Sequence, residues 1–136
     1  MDLIHKIAIT MLFLLFSLPV GAGEVEDVQA TIDSQFQAFL TDDVRRAFTF
    51  ASPSIRSIFK TPKIFGDMVK RGYPMVWRPA SFTFLEHKKV TNGRTQDVKI
   101  FDYAGNAHYL RYFVTQTPDG WKISGVQILD STDFSV

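Results

Sequence analysis

The 136-residue chain contains no cysteine, which excludes disulfides, thiol nucleophiles, thiol redox exchange and cysteine-ligated metals. A lipid anchor carried on a cysteine is excluded with them. Charge of a dominant sign is also missing, since 15 Lys and Arg against 14 Asp and Glu leave a net charge of +1. That balance argues against a polyanion, so no nucleic-acid partner is expected; Lys88-Lys89 and Arg45-Arg46 read as solvated local spots. Histidine is scarce. Beyond the first 22 residues only His87 and His108 remain, both beside turns or charged neighbours and outside any His-x-His or Glu-x-x-His spacing, so neither a metal nor another cofactor is expected. The chain has no Gly-x-Ser-x-Gly elbow, no Gly-x-Gly-x-x-Gly and no Gly-x-x-x-x-Gly-Lys. A serine-hydrolase elbow and the glycine-rich nucleotide loops are thereby absent.

One apolar run stands out, from Ile7 to Val20, behind a short segment that ends in Lys6, with Pro19 near its exit and the small residues Gly21-Ala22 after it. It falls short of the roughly 20 residues that span a bilayer comfortably. The pattern predicts a secretory signal, residues 1–22, cleaved after Ala22, and a single domain over 23–136 in the periplasm or the medium. No membrane insertion is expected after cleavage, because no second apolar segment follows.

The domain is rich in phenylalanine, with 13 in the whole chain. Apolar residues at Val28, Ile32, Phe36, Phe39 and Leu40 recur at helical spacing. Asp42 or Asp43 can cap a second helix through Ala51, and Ser52-Pro53 and Thr61-Pro62 each place a hydroxyl cap before a proline that needs no amide partner. Gly72 is expected to end the last of these helices in the left-handed conformation. Beyond Pro79 the period changes to two: Phe82 with Phe84, Val98 with Ile100, Leu110 with Tyr112 and Val114, Trp121 with Ile123. Turn compositions at Asn92-Gly93, Ala104-Gly105-Asn106 and Pro118-Asp119-Gly120 separate these strands. The order predicts an α+β domain, with N-terminal helices packed on a curved C-terminal antiparallel meander.

That order of elements resembles the nuclear-transport-factor-two-like, cystatin-like α+β superfamily. The run Phe48-Thr49-Phe50-Ala51-Ser52-Pro53-Ser54-Ile55, then Phe59-Lys60-Thr61-Pro62, Phe65, Met68-Val69 and Tyr73, looks like a secreted bacterial family known as domain of unknown function 4864. The resemblance covers about Val25 to Leu129. It implies a cone-shaped fold, an extracytoplasmic location and, as is common in the superfamily, a possible homodimer through the outer sheet face.

Such a cone offers an apolar pocket, and its expected lining is Phe36, Phe59, Phe65, Met68, Tyr73, Trp77, Phe101 and Tyr112, with Arg111 placed to grip a weakly anionic group. The favoured expectation is a noncatalytic domain that binds a small apolar or weakly anionic ligand, or an envelope protein. The alternative is a cofactor-free isomerase, cyclase or lyase, in which Asp97 or Asp102 acts as base and Tyr112 as hydrogen-bond donor to an enolate. Asp97 and Asp102 also suit a plain solvated role beside turns.

Overall fold

A computed structural model describes residues 22–130 of the chain. The expected signal segment, through residue 21, lies outside the described residues. The helices come first: α1 (Ala22–Leu40), α2 (Val44–Thr49), α3 (Pro53–Phe59), α4 (Pro62–Gly72) and α5 (Pro74–Trp77). The strands follow as β1 (Ser81–Val90), β2 (Gly93–Phe101), β3 (Ala107–Thr117) and β4 (Gly120–Leu129), in the spatial order β1-β2-β3-β4 with every neighbour antiparallel.

The helix starts obey the capping chemistry of the sequence. Asp43 accepts from the Arg46 amide at 3.0 Å, Ser52 from Ile55 at 3.3 Å and Thr61 from Ile64 at 3.2 Å, each satisfying an amide that the first helical turn leaves open. The stripe Val28, Ile32, Phe36 and Phe39 on α1 is fully buried against the inward residues of the sheet, Val98, Ile100, Leu110, Tyr112 and Val114. Phe36 stacks on Phe82 at 4.5 Å between ring centres and meets Tyr112 edge-on at 6.0 Å, so aromatic contact seals this end of the core. The helices cover one face only. The other face carries Asp97, Lys99, Phe101, Arg111 and Phe113.

Two bulges curve the sheet. In β1, Phe84 faces Val98 and His87 faces Gln96, leaving Leu85 and Glu86 against a single partner position. In β4, Ile123 pairs with Val114 and Gly125 with Phe113, which makes Ser124 the extra residue. The first bulge turns His87 inward, and its Nδ1 lies 3.0 Å from Gln96 Oε1.

Three local details depart from the sequence reading. Helix α4 runs to Gly72 without a left-handed residue; Tyr73 takes the cap at φ −135° and ψ 59°, because Pro74 excludes its predecessor from the helical region. Pro74 then opens the short helix α5, which the sequence reading does not anticipate. In the first hairpin Val90 pairs with Gly93, so the two turn residues are Thr91 and Asn92. Gly66 is required for packing: a Cβ there would come within 2.6 Å of Val44 Cγ1, and its absence lets α4 close on α2.

Candidate functional site

The segment between Ala51 and Tyr73 builds a concavity because two short helices are fixed at one end and forced into a tight turn at the other. At the fixed end Ala51 makes a lone parallel bridge to Ile123. The Ser52 amide donates to Ile123 O and the Ile123 amide to Phe50 O, both at 2.8 Å. At the tight end Lys60 joins α3 to α4 at φ 68° and ψ −43°, with the Thr61 amide donating to Phe59 O at 2.8 Å. This is a three-residue γ-turn of the rarer, strained hand.

Between these helices, the start of α5 and β4 lies a cavity of about 240 Å³. Ile55 and Phe59 from α3 share its wall with Phe65, Met68 and Val69 from α4, and Ile123 and Val126 from β4 form the opposite side. Phe65 organises the wall, its ring 5.3 Å from Phe48 and 6.0 Å from both Phe39 and Phe59. Two polar side chains reach the cavity, and both are already engaged: Tyr73 donates its hydroxyl to Val126 O at 3.3 Å, and Gln35 Nε2 donates to Ala47 O at 3.1 Å. No carboxyl or imidazole is among the lining residues.

Of the residues expected to line a pocket, Phe59, Phe65, Met68 and Tyr73 do so; the other five do not. Phe36 is consumed by its stack on Phe82, on the far side of α1. Trp77 lies over Phe39 at 5.6 Å and is capped by the Arg78 guanidinium at 4.7 Å; Arg78 also binds the Asp42 carboxylate and Phe39 O. Phe101 stands exposed on the outer sheet face, with Lys99 Nζ 4.7 Å from its ring centre. Arg111 is on that outer face too, donating through Nε and Nη2 to both oxygens of Asp97 at 2.8 and 2.9 Å. Its charge is therefore matched within the sheet, not offered to a cavity. Tyr112 points inward and is fully buried, and its hydroxyl has no hydrogen-bond partner among the described residues. Burial, with a smaller contribution from Tyr73, pushes that phenol far above its ordinary range.

The two candidate bases are separated from the cavity. Asp97 lies in the middle of β2, not beside a turn, and is held by Arg111. Asp102 follows β2 and organises the next turn: its carboxylate accepts from the Ala104 and Asn106 amides, each at 2.9 Å, and lies 2.8 Å from His108 Nε2. The hydrogen bond from His108, aided by those from Asn106 and Ala104, holds its pKa below the usual carboxylate value. A second, polar groove of about 440 Å³ runs past Lys89, Arg94 and Trp121. There Arg94 donates to Glu24 at 2.6 Å and sits 5.4 Å from the Trp121 ring centre, so its charge is spent internally. Among the described residues no group of three His, Asp or Glu side chains converges as a metal site would require, and no helix is long and apolar enough to cross a membrane.

Nine lining residues were missed by the sequence reading, among them Ile55, Val69 and Val126. The first two were signalled by their spacing of four from Phe59 and Phe65; Val126 faces the cavity because the Ser124 bulge resets the alternation of β4.

The family model described as a domain of unknown function, DUF4864, matches residues 22–136. The chain belongs to the DUF4864 family. Searching the curated proteins returns no match. A crystal structure of an NTF-2 like protein of unknown function from Shewanella oneidensis MR-1 is similar to this DUF4864 chain with a TM-score of 0.53 at 13% identity, covering 79% of this chain and 99% of that one. At that identity the likeness shows the fold alone: an NTF-2-like α+β domain with helices before a four-stranded antiparallel sheet.

Proposed function

We propose that this is an exported, noncatalytic binding domain that takes a small apolar molecule into the cavity between α3, α4 and β4. The observation that carries this reading is the lining itself: aliphatic and aromatic, with both polar side chains already hydrogen-bonded to backbone carbonyls. Apolar cavities near 150 Å³ stay dry and take up benzene, so about 240 Å³ suits a substituted ring or a short alkyl chain. Asp97, Asp102 and Tyr112 all lie outside this lining, and the two carboxylates are held by Arg111 and by the turn before β3. Export is supported by the apolar run from Ile7 to Val20 behind Lys6.

Ligand-detected NMR with toluene and n-hexanol tests the cavity. The parent protein should give saturation-transfer signals with both, and Val126→Trp and Met68→Trp, which fill the space from opposite walls, should lose them while circular dichroism stays unchanged. No signal with the parent, or equal signals with a folded filling variant, sinks the reading. Native mass spectrometry of protein taken from its own envelope would then identify what it carries.

A further inference from the structure

The cavity wall continues outward into an apolar, basic tip. Ile58 is 66% exposed and Ile64 is 51% exposed. Both extend the lining stripes by helical spacing. Ile58 is three residues from Ile55, and Ile64 is four residues from Met68. The two flank the Lys60 turn, so they stand on either side of the junction between α3 and α4.

Around them lies a surplus of positive charge. The segment from Pro53 to Tyr73 contains Arg56, Lys60, Lys63, Lys70 and Arg71 against a single carboxylate, Asp67. Lys63 is matched by Asp67 at 2.9 Å. Arg71, seven residues from Ile64, falls on the same helical stripe. Arg56 Nε is buried with no hydrogen-bond partner, and Lys60 and Arg71 make no salt bridge among the described residues, whereas Lys70 is turned to the Trp77 ring, its Nζ 5.9 Å from the ring centre. The whole chain has a net charge of only +1, so this hairpin concentrates positive charge that the rest of the molecule offsets.

We propose that the α3–α4 hairpin docks on an anionic lipid surface, with Ile58 and Ile64 entering the interface and Lys60 and Arg71 meeting the headgroups. Exposed aliphatic side chains with long cationic ones on the same hairpin match an interface that is apolar below and negative above. An acidic protein surface would satisfy the cations and leave the two isoleucines without an apolar layer to enter. Resting on the cavity reading, docking would also explain how an apolar molecule is loaded, since the isoleucines join the cavity wall to the acyl region.

The cysteine-free chain permits a direct test. Single cysteines at Ile58, Ile64 and, as a control on the exposed end of β3, Gln116 are labelled with an environment-sensitive fluorophore. Each protein is mixed with vesicles of phosphatidylcholine alone or with phosphatidylglycerol, carrying a spin-labelled quenching lipid. Labels at 58 and 64 should shift to the blue and be quenched at least twofold on phosphatidylglycerol vesicles, with neither effect at 116 nor on phosphatidylcholine. Each cation near an anionic surface contributes roughly fivefold to partitioning, so Lys60→Glu with Arg71→Glu should lower it more than tenfold. Because sites are compared within one protein, the outcome holds whether or not residues 1–22 remain. Unquenched labels at 58 and 64, equal quenching at 116, or indifference to lipid charge overturns the proposal. So does a blue shift that grows with protein concentration without lipid, which assigns the surface to a second copy. Toluene binding in lipid-free solution is read separately: docking lost with toluene bound defeats this inference alone, and the converse defeats only the cavity reading.

Discussion

Arg111 and Asp97 face one another directly across β3 and β2, and the guanidinium engages both carboxylate oxygens at 2.8 and 2.9 Å. The side chains are unequally covered, 9% exposed for Asp97 and 25% for Arg111, and this asymmetry sets the expected mutational order. Arg111→Leu strands the more buried partner as an unmatched carboxylate and should cost about 3 kcal/mol or more; Asp97→Ala leaves a guanidinium that can reach water and should cost about 2 kcal/mol. Urea unfolding measures both. Toluene binding should survive each substitution, and its loss would show that the outer face communicates with the cavity.

Tyr112→Phe removes a buried hydroxyl that has no hydrogen-bond partner among the described residues. The variant should be as stable as the parent or about 1 kcal/mol more stable, because an unsatisfied buried polar group is a cost. A loss above about 1 kcal/mol in denaturant titration would mean that the hydroxyl is hydrogen-bonded in solution.

Trp121 enters β4 after the Gly120 turn and is 8% exposed within the core, its outer ring face covered by Arg94. Trp121→Ala should cost roughly 3 to 5 kcal/mol through lost contact and the cavity left behind. That is a large share of the stability of a small domain. A measured loss below about 1 kcal/mol would contradict the structural role.

Asp102 titrates below its ordinary pKa because the native turn favours its charged form, chiefly through His108. A carboxylate with a depressed folded pKa contributes stability above its unfolded pKa and loses it as pH falls through the folded one. The parent should therefore weaken as pH drops below about 4, and Asp102→Asn should flatten that acid limb. Thermal melting at stepped pH compares them. An identical acid limb in the variant would remove Asp102 as a contributor.

Lys60 holds the strained γ-turn between α3 and α4. Glycine occupies positive φ without steric cost, so Lys60→Gly should stabilise the domain by about 1 kcal/mol after its added unfolded-state entropy. It also removes a cation from the hairpin tip, and vesicle binding should weaken in the same protein that melts higher. A lower melting temperature would show that the turn is not strained.

Local chemistry was the legible part of this chain. Ser52, Thr61 and Asp43 cap helices because their oxygens satisfy amides within three residues, and the alternation from Phe82 to Ile123 needs only the pleat of a strand. What sequence could not supply was partnership at a distance. Arg111 looked available beside two aromatic residues until register placed Asp97 opposite it. Phe36, Trp77 and Phe101 are aromatic like Phe59 and Phe65, but which rings border empty space depends on how α1 and the α3–α4 pair divide the sheet between them. Bulges added a further shift: no composition rule reports that β1 changes phase at Leu85 and Glu86, and that shift turned His87 inward.

The bridge between Ala51 and Ile123 gives the cavity a place in time. Its fixed end depends on backbone hydrogen bonds across some seventy residues of sequence, and contacts of such separation are slow to close. A chain made from its N-terminus has α3 and α4 long before β4 exists. Until the last strand docks, those helices have apolar faces and no opposite wall, so the cavity is completed only with the fold itself.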